Sequence, residues 1–175
     1  MEATAKVRRL RRPATARRRF PARTLHVVDI ENLAGTAIPT LGQVTQVQGL
    51  YVARLGFGAD DQVVMAASHL GLLNAALAWP HARYRVRSGP NGADLELMDV
   101  LLHEDIPARF THVVIGSGDG MFVAAAALLA DCGVRVTVAS RPDSLSYLLR
   151  RAASDVVYLD PNAPRALRSQ RPTAA

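Results

Sequence analysis

The stretch Thr111–Phe122, THVVIGSGDGMF, sets the expectation for the fold of this chain. A short apolar run at 112–115 is followed by a turn in which glycines alternate with Ser117 and Asp119, and then by an alanine-rich run at 122–130. This pattern predicts a buried strand, a tight turn and the start of a helix. Ligands of open α/β sheets bind outside the carboxyl ends of the strands, so Asp119 is the first candidate functional residue.

The remainder of the chain repeats the same alternation of apolar runs and helical periodicity. Strict alternation at 82–88 is typical of a half-exposed edge strand. We predict strands at 25–30, 62–67, 82–88, 112–115, 134–139 and 156–159, and helices at 39–55, 69–79, 93–103, 122–131 and 145–153. Strands and helices in this order predict an α/β fold, a three-layer α/β/α sandwich around a mostly parallel sheet of five to six strands.

Charge divides the chain into three parts. The net charge is +6, but residues 1–23 hold nine Lys and Arg against one acid, and residues 161–175 hold three Arg and no acid. Residues 24–160 therefore carry nine Arg and fourteen acids, a net charge of −5. These compositions predict a folded domain at 24–160 between a disordered basic arm at 1–23 and a disordered tail at 161–175. The arm suits a polyanion such as RNA or DNA, and a purely solubilising role explains it equally well.

Composition also excludes several classes of protein. No apolar run approaches the ~20 residues that span a bilayer, and no secretory signal is visible. Cys132 is the one cysteine, which rules out an internal disulfide framework. We therefore expect a cytoplasmic protein without membrane contact, although an Arg-rich N-terminus is also typical of organellar transit peptides. Whether the chain forms a homodimer is left open.

Three aspartates are candidates for one site. Asp29 ends the first predicted strand, Asp94 lies in the first turn of the third predicted helix, and Asp119 follows the fourth strand. Carboxylates brought together at one sheet edge repel unless a cation neutralises them, and Mg²⁺ or Mn²⁺ takes oxygen ligands. We predict a Mg²⁺ or Mn²⁺ site there. Asp99, rotated about 140° from Asp94 on the same helix, is a further candidate for this metal site, in a supporting role and not as an equivalent ligand.

Each aspartate also has a purely structural interpretation. Asp94 suits the positive end of a helix dipole, and Asp119 is a common turn former. Asp29 is harder to explain in this way, because an acid at the end of an apolar strand is costly to bury without a partner. Together the three favour a site.

Three blocks of the sequence resemble a known family. VVDIEN at 27–32, NGADLELMDVLL at 91–102 and VVIGSGDGMF at 113–122 are similar to the acidic blocks of NYN domains, which belong to the PIN-like nuclease superfamily. The resemblance covers residues 25–160 and implies a PIN-like fold. It also implies a metal-dependent ribonuclease that hydrolyses RNA phosphodiester bonds through metal-bound water.

The resemblance implies roles for individual residues. Asp29, Asp94 and Asp119 would be catalytic and would bind Mg²⁺ or Mn²⁺, with Asn32 and Ser117 in support. The chain departs from the family where its SGDxD block carries Met121 in place of the second acid. Loss of that acid leaves two interpretations open, a ribonuclease of reduced activity and an RNA-binding or interaction module that does not cleave.

Other patterns carry less information. Arg85, Arg87 and Ser88 lie at the end of the predicted edge strand and are candidates for nucleic-acid contact, while the exposed face of such a strand explains them without a ligand. The GSGDG turn lacks the third glycine of a dinucleotide-binding motif, because Met121 stands there. Lys6 is the chain's one lysine, which argues against a haloacid-dehalogenase-type phosphatase, whose chemistry requires a lysine in the domain.

Overall fold

A computed structural model describes residues 23–162, so the predicted basic arm at 1–23 and tail at 161–175 fall almost entirely outside the described residues. The strands are β1 Thr24–Asp29, β2 Gln62–Ala67, β3 Arg83–Val86, β4 His112–Gly116, β5 Arg135–Ser140 and β6 Asp155–Tyr158. The helices are α1 Ile30–Ala34, α2 Leu41–Leu55, α3 Leu72–Ala78, α4 Gly92–His103, α5 Ile106–Arg109, α6 Val123–Asp131 and α7 Tyr147–Ala152.

The six strands form one sheet in the order β3-β2-β1-β4-β5-β6, and every neighbouring pair is parallel. The chain starts at the centre of the sheet, builds outward to β3, and returns to add β4 on the other side of β1. The strand order therefore reverses between β1 and β4, and ligands of doubly wound sheets bind at such a point.

Helices cover both faces of the sheet, because strands that are buried on both sides direct alternate apolar residues to opposite faces. Val27 belongs to a core cluster shared with α4, α6 and α7, whereas Val28 belongs to a second cluster shared with α1, α2 and α3. The predicted three-layer α/β/α sandwich, the arrangement expected of a PIN-like fold, is confirmed.

Local sequence explains where the elements start and stop. At the start of α2, the Thr40 side chain accepts a hydrogen bond from the backbone of Gln43, and the Gln43 side chain accepts one from the backbone of Thr40. This reciprocal capping satisfies donors that the first turn leaves free. Gly35 ends α1 with a φ of 73°, a left-handed conformation that glycine adopts without strain.

Two short helices were not predicted. The five-residue α1 and the four-residue α5 are too short for helical periodicity to show in the sequence. The predicted helices at 69–79 and 145–153 also begin later in the structure, at Leu72 and Tyr147. Among residues 23–162, no helix combines the length and apolar character needed to cross a membrane.

Candidate functional site

Asp29 occupies the reversal point of the sheet. It ends β1 and caps α1, where its Oδ1 accepts a hydrogen bond from the backbone N–H of Asn32 at 3.1 Å. Its other oxygen accepts from the hydroxyl of Ser117 at 3.4 Å. Asp29 is only 4% exposed, so a carboxylate is held where water solvates it poorly.

The turn after β4 brings Asp119 to the same edge. Because Val28 pairs with Gly116 in the sheet, the residues that follow β1 and β4 leave the strands side by side. The Ser117 hydroxyl accepts from the Asp119 backbone N–H at 3.2 Å, and the Asn32 side-chain oxygen accepts from Gly118 N–H at 3.0 Å. Asn32 and Ser117 therefore connect the two segments.

Asp94 comes from a third segment. The turn before α4 places Asn91 in the left-handed region, with a φ of 55°, and packs Gly92 so closely on the Arg87 carbonyl that a side chain would collide with it. Asp94 is 8% exposed, and its Oδ1 is buried without a hydrogen-bond partner. A buried oxygen of this kind is unfavourable unless something else binds it.

Burial raises the pKa of two of these carboxyl groups, Asp29 and Asp94. Burial, together with the neighbouring charges of Asp94 and Glu31, raises the pKa of Asp29 to about 7, although the Asn32 N–H bond opposes the shift. Burial and the charges of Asp119 and Glu31 also raise the pKa of Asp94, while its hydrogen bond with Asp29 acts in the opposite direction. The site therefore holds more negative charge than its surroundings neutralise.

The three aspartates line one polar groove of about 410 Å³, the acidic groove, together with Asn32, Gly92, Glu31 and Arg141. Sequence reasoning missed Glu31, which starts the first turn of α1 and whose Oε1 accepts from Ser68 N–H at 2.7 Å. Glu31 supplies a fourth carboxylate to the groove.

Arg141 was also missed, because it lies in the loop between β5 and α7 without any recognisable motif. Its guanidinium lies directly against Gly35, where any side chain would collide with it. The loop itself packs on the turn after β4: Ser146 N–H donates to the Gly118 carbonyl at 2.8 Å, and a side chain at Gly118 would overlap the Ser144 carbonyl. Two glycines thus allow a cation to stand beside the aspartates.

The donors of the groove are of the type that hard divalent cations prefer. Across residues 23–162 no three His, Cys, Asp or Glu side chains are grouped closely enough to hold a metal ion as they stand. The groove nevertheless offers carboxylate oxygens from Asp29, Asp94 and Asp119, and one of them is buried without a partner. Oxygen donors in this number suit Mg²⁺ or Mn²⁺, which retain several waters and need few protein ligands.

Other predicted residues lie elsewhere. Asp99 is on the exposed side of α4, where it contacts His103 at 2.9 Å and Arg85 at 3.6 Å, and it does not reach the groove. The five-residue offset from Asp94 explains this, because it turns Asp99 toward β3. Arg85 also pairs with Glu104 at 2.9 Å, so its charge is already neutralised.

The other two candidates for nucleic-acid contact, Arg87 and Ser88, make weaker or uncharged contacts with neighbouring side chains. Arg87 approaches Glu96 at only 3.8 Å and its side chain is 53% exposed. The Ser88 hydroxyl bonds the His69 ring at 2.7 Å and accepts from its backbone N–H. Of the predicted three, Arg87 alone keeps an exposed cationic group close to the turn before α4.

Comparison with known proteins supports the fold. Neither the protein-family models nor the curated proteins compared with this chain match it. Among solved structures, the chain is similar to the crystal structure of a protein of unknown function from Vibrio parahaemolyticus, with a TM-score of 0.55 and 18% sequence identity. The similarity covers 80% of this chain and 94% of the other, so the two share the architecture of the whole domain.

Proposed function

We propose that this chain is a divalent-cation-dependent ribonuclease that hydrolyses RNA phosphodiester bonds at the acidic groove. The observation that carries the proposal is the convergence of Asp29, Asp94 and Asp119 from three separate segments, with an Asp94 oxygen buried and unpartnered. Buried like charges cost a fold stability, and a bound cation would offset that cost. The choice of RNA rests on the resemblance of the acidic blocks to NYN domains.

In this proposal the residues of the groove have two roles, cation binding and positioning. Asp29, Asp94 and Asp119 would hold Mg²⁺ or Mn²⁺, and Glu31 adds a fourth charge. When bound, the ion supplies Lewis-acid polarisation of the phosphate and a lowered pKa for water. Asn32 and Ser117 keep the two sheet-edge segments in place through the bonds described above.

Arg141 gives the groove an anchor for the substrate. Arg141 lines the same groove as the aspartates, and its Nε is buried without a hydrogen-bond partner. Its ion pair with Asp143 spans 3.6 Å and Asp143 is mostly exposed, so this ion pair is weak. A planar guanidinium suits a phosphate, and we assign Arg141 to the phosphate next to the scissile bond.

The experiment is cleavage of labelled single-stranded RNA with Mg²⁺ or Mn²⁺, comparing the wild type with Asp94→Asn and with Asp99→Asn as the matched control on the same helix. We expect the wild type to cleave, EDTA to abolish cleavage, and Asp94→Asn to lose at least about 100-fold, since even changes around ligands cost 10–100-fold. Asp99→Asn should retain activity. Equal cleavage by all three proteins would overturn the proposal.

A second function, RNA binding without cleavage, is favoured by one observation. Met121 occupies the position where the family has its second acid, and in the structure only its backbone N–H, which donates to Asp119 at 2.8 Å, serves the site. If neither the wild type nor the variants cleave but the wild type binds RNA with an affinity that falls steeply with salt, this function replaces the first.

A further inference from the structure

One helical layer of the molecule carries almost no charge. Between Glu31 and Arg83 the charged residues are Arg54, Asp60 and Asp61, so α2 and α3 together hold one. The opposite layer is different, because α4 alone has three acids and a histidine. Most protein surfaces mix charges evenly, and depletion of charge is characteristic of interface cores.

Large apolar side chains lie exposed on this uncharged layer. Leu70, just before α3, and Leu73 and Leu77 on α3 form a leucine stripe with 69%, 67% and 61% of their surface exposed. Ile38 and Leu41 are also exposed, and they adjoin α3 because the Asn74 side chain donates to the Pro39 carbonyl at 3.0 Å. The stripe and the start of α2 therefore form one continuous patch, which we call the uncharged face. Contiguous patches of this kind mark interaction sites.

Glycines inside α2 indicate what the uncharged face packs against. Gly42 and Gly49 are exposed, two helical turns apart on one side of α2, and a side chain at either would meet no atom of the chain within 4 Å. Glycine is unfavourable inside a helix, and here no contact within the described residues requires it. A partner backbone that approaches closely would explain both positions.

The charges of the chain identify the partner. The segments outside the structure, residues 1–22 and 163–175, are rich in arginine, and the uncharged face offers them no acid. A nucleic acid would likewise find no cation there besides Arg54, whose guanidinium bonds the Asp160 carbonyl at 3.0 Å. A surface without charge is matched by another uncharged apolar surface, and a second copy of this chain presents one.

We propose that the uncharged face is the interface of a two-fold symmetric homodimer. An axis passing near Thr45 and Gln46 lies midway between Gly42 and Gly49, so antiparallel α2 helices would place Gly42 opposite Gly49 of the partner subunit, and the reverse. Such self-complementarity is what a two-fold interface requires. The leucine stripe of α3 flanks the crossing and is buried with it.

The first test is the mass of the full chain by light scattering over a range of micromolar concentrations. We expect a dimer, Leu73→Glu to weaken association at least about tenfold because a charge enters an apolar interface, and Leu148→Glu to leave it intact. Leu148 is the matched control, since it is a leucine exposed to 62% on the opposite layer. A monomeric wild type at all concentrations, or equal weakening by both variants, would overturn the proposal.

A second pair of variants separates association from folding. Gly49→Leu improves the helix propensity of α2 and meets open space in the monomer, so it should raise the melting temperature of the monomer while dissociating the dimer. Thr45→Cys, on a Cys132→Ser background, should form a disulfide-linked dimer on oxidation because the two copies of position 45 lie beside the axis. An undiminished dimer for Gly49→Leu, or no disulfide at position 45, would contradict the antiparallel arrangement.

Discussion

At the amino edge of the sheet, Asp61 accepts hydrogen bonds from the backbone N–H of Gly58 at 2.6 Å and of Thr24 at 2.9 Å. At the carboxyl edge, Asp94 keeps one buried oxygen without any partner. Both side chains belong to the same residue type and both are removed from water. What differs is whether the fold supplies donors to the carboxylate.

The pKa values of the two groups follow this difference. Burial alone would raise the pKa of Asp61, but the two N–H donors and the nearby His26 lower it below its ordinary value. Burial raises the pKa of Asp94, and the charges of Asp119 and Glu31 raise it further. The carboxylate of Asp61 thus stabilises the fold, whereas the carboxylates of Asp29 and Asp94 cost stability that a bound cation would return.

The largest expected effect is the pH dependence of stability that His26 causes at the amino edge. His26 is 2% exposed and its ring bonds the Tyr51 hydroxyl at 3.1 Å. Burial lowers the pKa of His26 from 6.5 to about 4, although the charge of Asp61 acts to raise it. The unfolded chain therefore takes up this proton first as the pH falls. Stability from neutral His26 is complete above pH 6.5 and is lost between pH 6.5 and about 4, by about 3 kcal/mol.

Denaturant unfolding of the wild type and of His26→Gln at several pH values measures this loss. The variant should show a shallower decline over the same window, and the exposed His81→Gln should behave as the wild type does. Parallel curves for all three proteins would mean that the amino edge does not hold its histidine in the neutral form.

A smaller effect is expected from Asp61→Asn. In the wild type the Asp61 carboxylate accepts from two backbone N–H groups and lies near His26. An asparagine keeps only one acceptor oxygen, so we expect a loss of about 2 kcal/mol in the free energy of unfolding. Asp60→Asn, at the exposed neighbouring position, should change stability by less than about 0.5 kcal/mol. Similar losses at both positions would show that the hydrogen bonds of Asp61 do not stabilise the fold.

The smallest effect has the opposite sign. Without a divalent cation, Asp94→Asn removes one of several like charges and should stabilise the protein by about 1 kcal/mol, as is common where a functional site is strained. Added Mg²⁺ or Mn²⁺ should raise the melting temperature of the wild type but not of this variant. Destabilisation by Asp94→Asn in EDTA would show that the groove is a structural feature like the amino edge.

Much of this site could be predicted from sequence because its parts end strands or begin a helix. Apolar runs located β1 and β4, and the parallel arrangement then brought Asp29 and Asp119 to one edge. Glycine and asparagine before α4 marked the turn that positions Asp94. In each case a local pattern determined the position of the side chain.

Local sequence patterns did not predict that Arg141 and Glu31 line the groove. Arg141 reaches the groove through a loop whose path depends on close packing against Gly35 and Gly118, and no local pattern encodes that packing. Glu31 was hidden because the helix that contains it has only five residues. Asp99 was included as a ligand candidate on helical position alone, and its pairing with Arg85 is a tertiary contact that periodicity does not reveal.

The order of the strands also bears on how the chain folds. β1, β2 and β3 pair with sequence neighbours, but β1 meets β4 only after a long intervening segment, so that the Asp29 and Ser117 side chains in contact are 88 positions apart. Pairings this distant in sequence close late, after their loop entropy has been overcome. We therefore expect the carboxylates of the acidic groove to meet late in folding, so that a cation bound there would act on a nearly finished molecule. It would slow unfolding and leave the rate of folding nearly unchanged.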